Sequence, residues 1–119
     1  MATNPTPMDA RHIARYLGAL SIEERVQIIQ CLLDAGSDGM PMLDIAARTE
    51  LGPAAVFKQL ESLAGLELVL VRSVDNNKNY FANVALINDL FDWMYHHYGS
   101  GFHAKQDGAE ATEAAQAAS

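Results

Sequence analysis

The chain has 119 residues, 50% of them hydrophobic, and a formal net charge of −7 at pH 7. This length suits one domain with a single core, and the apolar runs are too short to cross a membrane. No signal segment is recognisable, so we expect a cytoplasmic protein without a membrane partner. The acidic charge predicts weak non-specific binding to nucleic acid, with any DNA contact confined to a local basic patch.

The first helix is predicted to begin near Asp9. Residues 1–8 are polar and contain two prolines, which favours a disordered tail. Ile13, Leu17 and Leu20 then form an apolar stripe at helical spacing, with Tyr16 beside it.

A second helix is predicted over residues 22–35. Ser21 and Glu24 have the spacing of a capping box, in which each side chain bonds the backbone of the other. Gly36 is a suitable C-terminal stop. The predicted apolar line consists of Val26, Ile29 and Leu33, with Ile28 and Leu32 close by.

The middle of the chain predicts two helices joined by a tight turn. The first is short and carries Ile45, and the run Leu51-Gly52-Pro53 interrupts it. The second occupies residues 53–64, with Val56, Leu60 and Leu63 as its buried stripe.

Two strands and a polar turn follow. Residues 67–72 are strand-like, residues 75–79 form the turn and residues 80–84 form the returning strand. This order of elements predicts a winged helix-turn-helix: a mainly α fold with a small β-hairpin (α+β), in the order α-α-α-α-β-β-α. Such a scaffold presents one helix and one hairpin to a DNA duplex.

A final helix is predicted over residues 86–98. Its apolar stripe is wide and rich in aromatic residues, more than a small core can use, which favours a helix–helix dimer interface. The alternative is that the stripe only closes its own core. The predicted interface residues are Ile13, Tyr16 and Leu17 of the first helix and Leu90, Phe91, Met94 and Tyr98 of the last.

The predicted domain therefore covers residues 9–98. Residues 99–119 are rich in Ala and Glu and lack apolar periodicity, which predicts a disordered acidic tail.

Four stretches of the chain carry motifs of one known family. Residues 20–29 resemble "Leu-x-x-x-x-Arg-x-x-Ile-Leu", and residues 44–46 are similar to "Glu-Leu-Ala". Residues 56–66 are similar to a recognition helix followed by "Leu-x-x-x-Gly-Leu-Val", and Tyr80-Phe81 to an aromatic pair on the wing. Over residues 13–98 the chain thus resembles the arsenic-repressor (ArsR/SmtB-like) family. The resemblance implies a homodimeric bacterial or archaeal transcriptional regulator, usually a repressor, that an effector or a redox change releases from DNA.

The predicted recognition helix departs from the family, which usually has Ser or Thr and a "Ser-x-His" where this chain has Ala54, Phe57 and Gln59. Lys58 can meet phosphate or guanine, Gln59 can read adenine, and alanine can touch thymine methyl groups. The alternative is a solvated helix that no longer binds DNA. The predicted DNA-binding residues of this helix are Ala54, Ala55, Lys58, Gln59 and Ser62.

The wing is predicted to add basic contacts. Arg72 and Lys78 lie on its two strands, with Asn76 and Asn77 at its tip, a pattern that suits phosphate or minor-groove contact. A hairpin exposed to solvent without DNA contact is the alternative interpretation.

A metal site is the first sensor hypothesis. Asp89, Asp92 and His96 share one face of the last helix, and carboxylate and imidazole suit zinc or a similar divalent ion. Their spacing differs from that of metal-sensing relatives, and the alternative is the solvated face of a terminal helix. No other cofactor is expected.

Two further sensor hypotheses involve sulfur and a small molecule. Cys31 lies at a position similar to that of redox-responsive relatives but lacks their second cysteine, which favours a packing role. Tyr16, Trp93 and Tyr95 could line a site for a hydrophobic effector, or simply pack at an interface.

Two functions follow from these predictions. The first is a homodimeric regulator, most simply a repressor, bound to a pseudo-palindromic operator. The second is a winged-helix module that binds another protein, which the acidic charge and Phe57 favour. No catalytic constellation is apparent, so we do not expect an enzyme.

Overall fold

The computed structural model describes residues 8–99. The chain divides into two compact units, with the boundary between Ile87 and Asn88, so the predicted domain of residues 9–98 includes parts of both. None of the helices among the described residues has the length and hydropathy needed to cross a membrane. The elements are α1 (Ala10–Ala19), α2 (Glu23–Ala35), α3 (Met42–Thr49), α4 (Pro53–Gly65), β1 (Val69–Val74), β2 (Asn77–Ala82) and α5 (Val84–Met94). Apart from Met8 and Gly99, the predicted tails lie outside the described residues.

Asp9 starts α1, as the sequence predicts. Its carboxylate accepts hydrogen bonds from the His12 backbone N–H (3.0 Å) and, at 2.7 Å, contacts His12 Nδ1. These hydrogen bonds, the backbone one foremost, lower the pKa of the Asp9 carboxyl group. The carboxylate therefore stays charged at neutral pH and caps the helix.

The predicted capping box is wrong. Ile22 is the N-cap of α2 and makes no side-chain capping bond. The Ser21 hydroxyl instead donates to the carbonyl oxygen of Gly18 at 2.7 Å. The residue is thus used to close the turn after α1, because a serine hydroxyl can satisfy either helix end.

One core brings the elements of the first unit together. Helix α2 contacts α3, α4 and β2, and α4 also contacts α3 and β1. The predicted apolar line of α2 is partly wrong, since Val26 and Leu33 are 46% and 43% exposed. The fully buried side chains of the first unit are Ile28, Leu32, Ile45, Val56, Leu60, Leu63, Leu68 and Val69.

The turn between α3 and α4 orients the second helix of the pair. Glu50 ends α3 in the left-handed conformation (φ 62°), and Pro53 occupies the first turn of α4. The Thr49 hydroxyl donates to the Ile45 carbonyl oxygen at 2.7 Å. Such a turn sets two short helices at an angle, so α4 presents its outer face to solvent.

The wing has a shorter turn than predicted, and β1 begins and ends two residues later than the predicted strand. β1 and β2 pair antiparallel from Val69 opposite Ala82 to Val74 opposite Asn77. Only Asp75 and Asn76 form the turn, both with positive φ (51° and 69°). Positive φ at both central residues defines a type I′ turn, whose twist matches that of the flanking strands.

Two loops brace the wing against the rest of the first unit. Met40 and Tyr80 exchange backbone hydrogen bonds, both 2.9 Å long, in an isolated antiparallel bridge. The Asn83 side chain donates to the Glu67 carbonyl oxygen at 2.7 Å and accepts from the Leu86 N–H at 3.2 Å. One asparagine thereby joins the loop before β1 to the start of α5.

Helix α5 begins earlier and ends earlier than predicted. It stops at Met94, and a π-helical turn continues from Tyr95 to Gly99. The predicted single α-helix over residues 86–98 is therefore wrong at its C-terminal end, where the wider turn changes the angular spacing of the side chains.

Candidate nucleic-acid interface

Helix α4 has a sharply divided surface. Val56, Leu60 and Leu63 are at most 1% exposed, as the sequence predicts. Ala54, Ala55 and Lys58 are exposed, whereas Gln59 and Ser62 are half-buried at the edge of the core. The outer surface of this helix therefore carries small side chains and the cationic Lys58, and Phe57 and Glu61 are exposed on it as well. Such a face can approach a groove of DNA closely and contact a phosphate or a guanine.

Gln59 is held by a residue that the sequence pattern did not connect to it. The Arg25 Nε–H donates to Gln59 Oε1 at 2.8 Å, and both groups are partly buried. Arg25 also donates from Nη1 to the Ala19 carbonyl oxygen at 3.3 Å. Because 34 residues separate Arg25 from Gln59, no local signal could have revealed the pair.

The predicted tip of the wing is only partly correct. Asn76 lies in the two-residue turn, whereas Asn77 is the first residue of β2. Lys78 is exposed and lies opposite Ser73. The tip consequently presents Asp75 and Asn76. The Asp75 carboxylate would repel a DNA phosphate, whereas the uncharged Asn76 side chain would not.

Arg72 and Lys78 lie on opposite faces of the wing. Arg72 pairs with Asn79 and Lys78 pairs with Ser73, and neighbouring pairs in an antiparallel ladder point to opposite faces. The Arg72 guanidinium lies 5.0 Å from the ring centroid of Phe81, in cation–π geometry. The two basic residues therefore cannot contact the same stretch of DNA backbone from one face.

A groove between the start of α3 and the wing was not predicted from the sequence. Leu43 and Val74 line it and are 64% and 42% exposed, and Lys78 lies at its side. Leu43 is a surface position on a short helix, so a helical pattern alone could not distinguish it from a core residue.

The metal hypothesis receives no support from the described residues. No group of three or more His, Cys, Asp or Glu side chains among them is placed to hold a metal ion. Asp89 and Asp92 lie on α5, but His96 lies in the π-helical turn, so the predicted one-face spacing of the three residues is broken. The neighbouring His97 stacks on Trp93, with ring centroids 4.0 Å apart.

Cys31 is a packing residue of α2. It is 6% exposed, and its thiol lies 3.6 Å from the sulfur of Met40. Burial raises the pKa of the thiol. A buried thiol with a raised pKa is a poor nucleophile and a poor redox sensor.

We expect thiol reagents to label Cys31 more slowly than a free cysteine at pH 7, and quickly once the chain is unfolded in denaturant. The cause is the small fraction of thiolate together with the buried sulfur. A time course with a thiol-reactive dye in native and denaturing buffer measures both rates. Rapid labelling of the native protein would revive the redox hypothesis.

The predicted dimer residues differ in their availability to a partner. Ile13 and Leu90 are 3% and 1% exposed, so neither side chain lies on the surface of the single chain. Tyr16 is partly buried against the core, and Met94 is half-buried. The exposed members are Leu17 (39%), Phe91 (59%) and Tyr98 (60%).

These elements define the winged helix-turn-helix fold, with α3 and α4 as the helix pair and β1–β2 as the wing, as predicted. No protein-family model and no curated protein matches the chain. Among solved structures, the chain is similar to an ArsR-like transcriptional regulator from Rhodococcus sp. RHA1, with 22% identity, a TM-score of 0.68 and coverage of 86% of this chain and 92% of that one.

Two further structures share the fold. One is a homodimeric winged helix-turn-helix DNA-binding domain from Mycobacterium bovis, with 22% identity, a TM-score of 0.55 and coverage of 79% of this chain and 97% of that one. The other is a mutant of S. aureus MepR bound to an oligodeoxyribonucleotide, with 20% identity, a TM-score of 0.54 and coverage of 92% of this chain and 88% of that one. The winged helix-turn-helix fold expected from the sequence is thus confirmed.

Proposed function

We propose that this protein is a homodimeric, sequence-specific DNA-binding transcriptional regulator of the cytoplasm that acts as a repressor and has no enzymatic activity. The supporting observation is the exposed face of α4, where Lys58 follows Ala54 and Ala55 by one helical turn, beside a wing with a type I′ turn. A protein of the same fold has been captured on DNA, and another is a homodimeric DNA-binding domain.

In this proposal, α4 enters the major groove. Lys58 contacts phosphate or guanine, and Ala54 and Ala55 approach thymine methyl groups. Asn76 and Lys78 of the wing contact the flanking backbone, and Arg72 stays over the Phe81 ring. This division gives the wing one basic backbone contact rather than two.

The exposed apolar side chains support the homodimer. Leu17, Phe91 and Tyr98 are each at least 39% exposed, and a second copy of the chain would remove such surface from water. Two-fold symmetry then predicts a pseudo-palindromic operator. An effector that changes the spacing of the two α4 helices would control affinity for DNA.

A titration against DNA tests the proposal. Labelled duplex from upstream of the protein's own gene is compared with scrambled duplex at low and physiological salt. Saturable, sequence-selective binding is the expected result. Equal binding to both duplexes, repeated across genomic fragments, would contradict it.

We expect Lys58→Ala to weaken DNA binding and to reduce the salt slope by about 1, since it removes one phosphate contact or one guanine contact made by a cation. Arg11→Ala is the matched control, because Arg11 is an exposed cation at the start of α1, on a different helix. Fluorescence anisotropy at several salt concentrations measures both variants. Identical salt slopes for Lys58→Ala and the wild type would remove Lys58 from the interface.

A protein-binding module is the second candidate. Phe57 is 43% exposed on α4, where an aromatic side chain can anchor a protein partner, and the chain has a net charge of −7. In this case the wild type shows neither sequence selectivity nor a steep salt dependence in the same titration.

A further inference from the structure

The hydrogen bonds of Arg25 determine which end of the Gln59 amide remains free. A guanidinium group can only donate, so the atom that faces Arg25 Nε at 2.8 Å must be the oxygen of Gln59. The Gln59 nitrogen, Nε2, is then the end left for other partners. This assignment follows from the chemistry of arginine, since the two ends of an amide are otherwise hard to distinguish.

Arg25 is itself anchored at a second point. Its Nη1 donates at 3.3 Å to the carbonyl oxygen of Ala19, the last residue of α1. The C-terminal end of a helix carries partial negative charge, which favours a cation there. Two anchors on different helices hold the planar guanidinium, and with it the direction of the bond to Gln59.

We propose that Arg25 is a positioning residue that presents Gln59 to DNA as a hydrogen-bond donor. This inference rests on the proposed function. A glutamine reads adenine through two bonds, one from its nitrogen and one to its oxygen. Because Arg25 occupies the oxygen, Gln59 offers only its amide N–H donors to the major groove. Guanine presents two acceptors there, O6 and N7, and thymine presents O4, whereas adenine places an amino donor beside its N7 acceptor, and a second donor cannot satisfy that group. The adenine preference predicted from the sequence is thereby replaced.

Selection from a random-sequence duplex library tests this assignment. The Gln59→Met variant identifies the base pair that Gln59 reads. Its base preference should be lost at that position of the operator and at the symmetry-related position in the other half-site. In the wild type this position should favour guanine or thymine. In Arg25→Met the freed oxygen should shift the preference towards adenine by about tenfold, the effect of one bidentate pair.

Arg48→Met is the matched control. Arg48 is an exposed arginine on α3, so its removal changes the net charge equally without touching Gln59. It should leave the base preference unchanged. The double variant Arg25→Met/Gln59→Met should behave like Gln59→Met at this position, since Arg25 acts through Gln59.

An unchanged base preference in the Arg25 variant overturns the inference. If Arg25→Met and Arg48→Met lower affinity alike and keep the wild-type preference, Arg25 supplies charge only. If Arg25→Met does not fold, as circular dichroism would show, Gln59→Glu decides the matter. Glutamate keeps an oxygen for Arg25 and replaces the donor by an acceptor, so preference should move to the cytosine amino group, and an unchanged preference contradicts the proposal. If the wild type selects no sequence at all, the proposed function itself fails.

Discussion

Gly39→Ala is expected to lower the free energy of unfolding by about 2–6 kcal/mol. Gly39 has a φ of +68° and a ψ of −170°, a backbone conformation that is nearly confined to glycine and costs an L-residue roughly 1–3 kcal/mol. A Cβ atom there would also lie 2.4 Å from Cε2 of Phe81, and overpacking of this kind costs about 1–3 kcal/mol. The Phe81 ring is 9% exposed and carries the Arg72 guanidinium, so it cannot move away freely.

Gly36→Ala separates the two contributions. Gly36 has nearly the same φ (+65°), but a Cβ atom added there would have no atom of another residue within 4 Å beyond its chain neighbours. Gly36→Ala should therefore lose only the stability that the unfavourable backbone conformation costs, roughly 1–3 kcal/mol. Urea unfolding followed by circular dichroism measures both variants. Equal losses would show that Phe81 yields without cost, whereas partial recovery in Gly39→Ala/Phe81→Leu would confirm the steric contribution.

Leu60→Ala is expected to cost about 2–5 kcal/mol of stability. Leu60 is 1% exposed, and α4 packs on α2, α3 and β1, so the lost methyl groups leave a cavity at the centre of the core. A typical domain is stable by only about 5–15 kcal/mol, so part of the population would unfold at moderate temperature. Under the proposed function, DNA binding should fall with the folded fraction.

Glu61→Ala is the control for Leu60→Ala. Glu61 is the next residue of α4 and is exposed, so its truncation should change stability by no more than about 0.5 kcal/mol. Thermal unfolding of both variants gives the comparison. A Leu60→Ala variant as stable as Glu61→Ala would mean that α4 does not depend on the packing described.

The helix pair could be predicted because its signals are local. Val56, Leu60 and Leu63 repeat at helical spacing, and Pro53 marks the first turn of α4. Asp9 likewise starts α1, because its side chain accepts a hydrogen bond from the backbone N–H of His12, only three residues later. Periodicity and capping depend on neighbours in sequence, and these are fully visible without a structure.

The edges of the wing and the buried face of α2 were harder to predict. Asp75-Asn76 alone makes the turn, but a polar run of five residues hides which two of them adopt positive φ. Val26 and Leu33 belong to an apolar line of α2, yet they are exposed. Which side of a broadly apolar helix is covered depends on the elements that pack against it.

In the candidate site, too, some features could be predicted from the sequence and others could not. Helical spacing was enough to predict that Lys58, Ala54 and Ala55 lie on the exposed side of α4. The sequence also placed Arg72 and Lys78 on the wing, but the register puts them on opposite faces. A shift of one residue in the predicted strand limits reverses the face of a side chain, so only the paired structure could decide this.

Local patterns in the chain were enough to predict the order of helices and strands, the buried stripe of α4 and the winged helix-turn-helix class, because each depends on short-range periodicity and turn chemistry. Only the folded chain reveals that Arg25 holds the Gln59 oxygen, that Phe81 packs against Gly39 and that Cys31 is buried. The two contacts join residues far apart in the chain, and the burial of Cys31 likewise depends on neighbouring elements. They form only when packing brings separate elements together, and no pattern within one element encodes them.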